Sequence, residues 1–169
     1  MDKHTLIQRL IEIGVIEKRQ VTLKNAGESS FYINIKKDYG YPDILRKITH
    51  MMHRRIDRQA TTLAAQGYGG LPLATKLSSD YNLKLTLIRE QQKDHGLDNL
   101  LEGYIPTKDD KVFLVDDVLT TGDSLRQILQ ILGPTQTQVI GCGVVVKRGS
   151  EGLQVPLHYI LTLDDLIKH

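Results

Sequence analysis

Asp116 and Asp117 stand side by side behind the apolar run Val112-Phe113-Leu114-Val115, and Val118-Leu119-Thr120-Thr121-Gly122-Asp123-Ser124 follows them. Adjacent carboxylates repel each other and gain nothing as a helix cap, so the pair asks for a partner. The hydroxyls of Thr120, Thr121 and Ser124, with the unpaired N–H groups of a helix start, make a cradle for an anion. Gly122 lets the backbone come close to it. Carboxylates beside such a cradle accept hydrogen bonds from a polyol, and a ribose presents two hydroxyls. A phosphorylated pentose is the ligand this chemistry fits. The plainer alternative, a strand end followed by Thr and Ser helix caps, accounts for each residue singly and for the set poorly.

Three other segments carry chemistry-bearing side chains. Gly67-Tyr68-Gly69-Gly70-Leu71-Pro72 places glycine amides where they could face an anion; it also reads as a glycine turn opening a helix with Pro72 in its first turn. Arg89-Glu90-Gln91-Gln92-Lys93-Asp94-His95-Gly96 runs on to Glu102-Gly103 without apolar periodicity. A stretch that long inside a compact domain is either functional or a disordered, solvated loop. Arg148, in Lys147-Arg148-Gly149, offers a guanidinium fork that fits a carboxylate in a bidentate way, or is an ordinary exposed arginine.

The elements that must position these groups follow from apolar spacing. Leu6, Leu10, Ile11 and Ile13 predict an amphipathic helix ended by Gly14. Residues 21–23 and 31–35 read as short strands around Asn25-Ala26-Gly27. Pro42 suits a first helical turn, with Ile44, Leu45, Ile48 and Met52 as the apolar stripe. Strands at 61–65, 85–88, 112–115, 139–146 and 157–161 then alternate with helices over 71–81 and through Leu125, Ile128, Leu129 and Leu132. That alternation predicts an α/β fold, a central mostly parallel sheet flanked by helices. Ligands of such sheets bind beyond the carboxyl ends of the strands. The segments 66–70, 89–103 and 116–124 all fall at such ends.

The chain has 169 residues, enough for one domain and too few for two. A net charge of +2 gives no global field for nucleic acid or an acidic membrane. No apolar stretch has the length of a membrane span, and the N-terminal residues are amphipathic where a signal peptide would be basic and then apolar. The single cysteine, Cys142, lies in an apolar run and reads as a small buried hydrophobe. A cytoplasmic, reduced, soluble protein is the expectation.

The segment 112–124 resembles the motif of type I phosphoribosyltransferases that binds phosphoribosyl pyrophosphate (PRPP). Orotate phosphoribosyltransferases are the members it is most similar to, through Leu23-Lys24-Asn25-Ala26-Gly27, Phe31-Tyr32, the glycine segment and Lys93-Asp94-His95-Gly96. The resemblance implies that fold over 1–169, with a small N-terminal hairpin as a hood. It implies transfer of the phosphoribosyl group from PRPP to orotate, with Mg²⁺ held mainly by PRPP oxygens and water. PRPP would meet Tyr68, Gly69, Arg89, Lys93, His95, Asp116, Asp117, Thr120, Thr121, Gly122, Asp123 and Ser124. Lys93, His95 and Asp117 would be catalytic, and orotate would meet Lys24, Phe31, Tyr32, Thr120 and Arg148. A homodimer sharing the mobile loop 89–103 between subunits is implied as well. The chain departs from the family at Asn25-Ala26, at Ser30, at Glu90, where a basic residue is common, and at Gly69, where some members carry lysine. A purine phosphoribosyltransferase, or a catalytically weak PRPP-binding regulator, is the competing reading; Glu90 favours the latter.

Overall fold

The structure, a computed structural model, describes residues 2–23, 27–90, 100–149 and 152–168, and the backbone alone at 18–23 and 27–30. Helix α1 (Lys3–Glu12) starts at Asp2, whose carboxylate accepts the Thr5 N–H, and buries Leu6, Ile7 and Leu10. Gly14, at φ +73°, ends it. Strands β1 (Ile16–Leu23) and β2 (Gly27–Ile33) pair antiparallel as a separate ribbon, longer than the sequence pattern foretells. A short 3-10 turn, Ile35–Gly40, leads into helix α2 (Pro42–His53), with proline in its first turn as expected.

The main sheet is built from β3 (Thr62–Gln66), β4 (Lys84–Ile88), β5 (Leu101–Gly103), β6 (Lys111–Leu119), β7 (Gln138–Lys147) and β8 (Leu157–Thr162). Helix α3 (Gly67–Tyr81) joins β3 to β4, α4 (Asp123–Leu132) joins β6 to β7, and α5 (Leu163–Ile167) follows β8. The strand order is β5-β4-β3-β6-β7-β8. All neighbours run parallel except β5, which lies antiparallel on β4. The α/β fold with a mostly parallel sheet and an N-terminal hairpin is as the sequence predicts.

Strand β6 shows why its apolar run is unbroken. Successive side chains point to opposite faces, and both faces are covered. Phe113 and Val115 join the core built with α1, α2 and α3, while Val112 and Leu114 join the core under α4. Cys142 is fully buried in the second core.

At the amino ends of the strands, buried Asp110 ties the layers together. It accepts hydrogen bonds from Thr61, Lys84, Tyr104 and the Thr107 N–H. Burial opposes its charge, and these donors together hold it below the usual carboxylate range. The carboxyl ends are built differently. β3 pairs with β6 only as far as Leu114, whereas β6 continues along β7 to Leu119. Chain connections leave this point in opposite directions, to β4 on one side and β7 on the other, which opens a crevice.

Besides the hairpin, where the expected strand 31–35 ends at Ile33 and Ile35 opens the 3-10 turn, two boundaries that bear on the crevice differ from the sequence reading. β6 does not stop at residue 115: the acid pair lies within the strand, since β7 goes on supplying ladder partners such as Val144 and Val146. Helix α3 begins at Gly67, not near residue 71, so the glycines form its first turn and Pro72 sits inside it.

Candidate active site

The crevice between β3 and β6 holds a cavity of about 630 Å³, lined by Asp116, Asp117 and Ser124 on one side and residues 66–69 on the other. Asp116 Oδ1 accepts the Asp117 N–H at 2.8 Å, and Asp117 Oδ1 accepts the Val118 N–H at 2.8 Å. These bonds fix both carboxylates against the strand. Burial, and then the neighbouring charge of Asp117, raise Asp116 above the usual carboxylate range, with Lys36 opposing.

Below the acids the chain bends through Thr120 and Thr121 into α4. Gly122 is the N-cap at φ +78°, a left-handed conformation natural to glycine. Arg126 staples the bend, donating to the Thr121 carbonyl and to Asp123 Oδ1 at 2.6 Å each. The Thr121 hydroxyl donates to Asp123 Oδ2 at 2.8 Å. Helix α4 thus starts directly from a hydroxyl-bearing, glycine-capped bend, a helix start of the kind that binds anions.

The glycine segment meets the acids closely. A Cβ at Gly69 would stand 2.8 Å from Asp117 Oδ2 and nearer still to Oδ1. Any larger residue there would displace the carboxylate. Tyr39, from the 3-10 turn, clamps this segment by donating its hydroxyl to the Gly69 carbonyl at 2.5 Å. Burial, followed by the charges of Asp117, Asp38 and Asp116, pushes the Tyr39 phenol up, so it remains a donor. Tyr68 is 87% exposed at the cavity mouth.

Of the residues singled out from the sequence, the structure gathers Tyr68, Gly69, Asp116, Asp117 and Ser124 around one cavity. Thr120, Thr121, Gly122 and Asp123 form the adjoining bend. Arg148 reaches it through the backbone: its N–H and that of Gly149 both donate to the Leu119 carbonyl. Partial burial lowers the Arg148 guanidinium somewhat. Phe31 and Tyr32 are half-buried on β2, paired in register with Lys18 and Glu17 of β1. Arg89 forms an ion pair with Glu102, while its neighbour Glu90 lines the cavity. Lys24, Lys93 and His95 lie outside the described residues.

Sequence reasoning missed Lys36, Asp38, Tyr39 and Arg126, and marked Gln66 only as part of the segment 66–70. Lys36 Nζ sits 3.2 Å from Asp117 Oδ2. Asp38 is fully buried, and neither carboxylate oxygen has a hydrogen-bond partner. Burial, and then the charge of Asp117, push it up to about 8. This folded value lies above the ordinary 3.8, so the unfolded chain releases the proton first. Asp38 costs no stability below the ordinary value. The cost grows as pH rises from there and levels off above about 8. Asp38→Asn, neutral and of the same shape, is therefore expected to stabilise the fold by roughly 1–3 kcal/mol near neutral pH. That raises Tm by about 3–10 °C. The gain should vanish near pH 4 in the same thermal melts.

Residues 37–167 match the phosphoribosyl transferase domain family. The orotate phosphoribosyltransferase of Pyrococcus abyssi is 35% identical over 149 residues, which cover 86% of this chain and 81% of that one. Its counterpart from Methanocaldococcus jannaschii is 32% identical over 173 residues, 98% of either chain. The solved orotate phosphoribosyltransferase of Aeropyrum pernix is similar with a TM-score of 0.84 at 25% identity over 96% of both chains. The Mycobacterium tuberculosis orotate phosphoribosyltransferase in complex with 5-phospho-α-D-ribosyl 1-diphosphate has a TM-score of 0.76, a likeness of fold, at 20% identity over 98% of this chain.

Proposed function

The chain belongs to the orotate phosphoribosyltransferase family, and from that premise we propose how its residues carry out the reaction. It is a phosphoribosyltransferase that transfers the 5-phosphoribosyl group of PRPP to orotate. N1 of orotate displaces pyrophosphate from C1 of the ribose with inversion, giving orotidine 5′-monophosphate and pyrophosphate.

The observation that carries this reading is the acid pair on the free edge of β6, running straight into the glycine-capped bend. The 5′-phosphate sits in the bend, on the α4 amides and the hydroxyls of Thr120, Thr121 and Ser124. Asp116 and Asp117 take the ribose hydroxyls. Pyrophosphate then extends across the cavity toward Tyr68 and Gly69. The transition state resembles a ribosyl oxocarbenium ion parting from a polyanion, so positioning and charge stabilisation are the protein's main work.

Arg148 holds the orotate carboxylate with its fork, and Thr120, Phe31, Tyr32 and Lys24 complete the base pocket. Lys93 and His95 cover the pyrophosphate from a loop that the two subunits of a homodimer exchange. The setting is the cytoplasm. Among the described residues, no helix is long and apolar enough to cross a membrane.

The oxygens at the cavity wall suit Mg²⁺: two carboxylates, and Gln66 Oε1, which is buried without a donor. No group of three His, Cys, Asp or Glu side chains able to hold a metal is found among the described residues. The ion would be held mainly by PRPP oxygens and water, with Asp116, Asp117 and Gln66 as the protein oxygens at hand. When bound, it neutralises charge on the departing pyrophosphate.

The test is pyrophosphate release from PRPP with Mg²⁺ and a panel of bases. Orotate should support release, and adenine, guanine and hypoxanthine should not. PRPP binding without turnover on any base would favour a regulator, the reading to which Glu90 on the cavity wall lends weight. Arg148→Ala is expected to raise the orotate KM roughly tenfold or more, as loss of a charge-assisted pair does, with the PRPP KM little changed. Calorimetry showing normal orotate affinity in that variant would remove Arg148 from the base pocket.

A further inference from the structure

We propose that Lys36 is a pyrophosphate-binding residue, which leaves its ion pair with Asp117 for a phosphate oxygen of PRPP as the ribose hydroxyls take over Asp117. The inference rests on the PRPP reading and adds a residue to it.

Charge balance at the cavity carries the inference. Among the described residues lining it, Lys36 is the only cation, facing the carboxylates of Glu90, Asp116 and Asp117. A pyrophosphate brings several more negative charges to that wall and is repelled without a counter-charge. The glycine segment supplies none, since residues 67–70 include no basic side chain. Arg89, paired with Glu102, is not among the residues lining this wall. Lys36 reaches the cavity from a different element, the 3-10 turn that Tyr39 clamps to the Gly69 carbonyl. Ile35, fully buried, roots that turn in the core. The ammonium group is thus held beside the glycine segment by a fixed base.

The present partnership is suited to exchange. The Lys36 side chain is 42% exposed and its contact with Asp117 is 3.2 Å. Asp117 is only 13% exposed, so it is the ammonium end that lies in water's reach, and a polyanionic phosphate is a stronger partner for an ammonium than one carboxylate. Asp117 in turn is released to accept from a ribose hydroxyl when the sugar arrives. One lysine would therefore neutralise the acid in the free protein and the leaving group in the complex.

A purely structural Lys36, there to hold Asp117 in place, makes a different prediction, and affinities separate the two. Lys36→Met and Lys36→Arg are compared with wild type for PRPP and for ribose 5-phosphate, which shares the sugar and phosphate and lacks pyrophosphate. The expected result is PRPP affinity lowered roughly tenfold or more in Lys36→Met. Ribose 5-phosphate affinity and orotate KM should stay within about twofold, and Lys36→Arg should recover most of the loss. Equal weakening of both sugars, or normal PRPP affinity in Lys36→Met, overturns the role. Failure of the underlying reading looks different: wild-type protein would then bind neither sugar.

Discussion

Asp117→Asn is expected to lower turnover by roughly a hundredfold or more, the loss seen when a single preorganised charge-stabilising group is removed from an active site. The geometry says why so small a change should matter. Asp117 is almost buried, with one oxygen on the Val118 N–H and the other beside Lys36. The asparagine carbonyl can keep the first contact. Its amide then puts a donor where the ribose needs an acceptor, next to an ammonium that is itself a donor. The fold should survive, since the change removes charge from a crowded pair and leaves the buried strand Val112–Val115 untouched. Steady-state kinetics with a melting curve check both halves: turnover falls and Tm holds or rises. An unchanged rate would take Asp117 out of the catalytic machinery.

Lys93→Ala should show a loss of similar size, roughly a hundredfold or more, for a complementary reason. The cavity wall described by residues 36, 66–69, 90, 116–118 and 124 carries more acid than base. A departing pyrophosphate needs further cations, and under the proposed reading Lys93 and His95 supply them. If that loop acts across a two-fold dimer, mixing the inactive Lys93→Ala and Asp117→Asn proteins rebuilds one intact site per heterodimer. Random reassociation should then restore about a quarter of wild-type activity. A demonstrated heterodimer with no activity would place each loop over its own subunit's site.

The residues that sequence alone disclosed share a trait: their local pattern was costly or unusual enough to need a reason. The acid pair after a four-residue apolar run is such a pattern, and so is the glycine cluster before α3. Lys36 and Asp38 were not legible because Lys-Lys-Asp-Tyr reads as a solvated turn. Only the docking of that turn onto Gly69 shows that Lys36 meets the acids and that Asp38 is sealed from water. Nothing in the local pattern around Arg126 marks it; only the fold shows one guanidinium nitrogen donating to both the Thr121 carbonyl and Asp123.

Element boundaries failed for a physical reason too. Hydrophobic patterning ends β6 where the acids begin, but ladder hydrogen bonds do not depend on side-chain polarity. β7 keeps pairing as far as Leu119, while β3 has already left. Charged residues in mid-strand are affordable there because the β3 side is open to the cavity. Likewise, glycines and a proline argue against a helix by propensity. Packing of Leu73, Ala74 and Leu77 into the core holds α3 in place regardless. In both cases tertiary structure overrode local preference at the very edge where ligand must approach.

A crystal structure of the protein with bound PRPP is the most direct check on all of this. The 5′-phosphate should lie in the bend from Thr120 to Ser124, on the α4 amides, with the ribose hydroxyls on Asp116 and Asp117. A sugar phosphate bound elsewhere, with the bend empty and the acid pair untouched, would contradict the account.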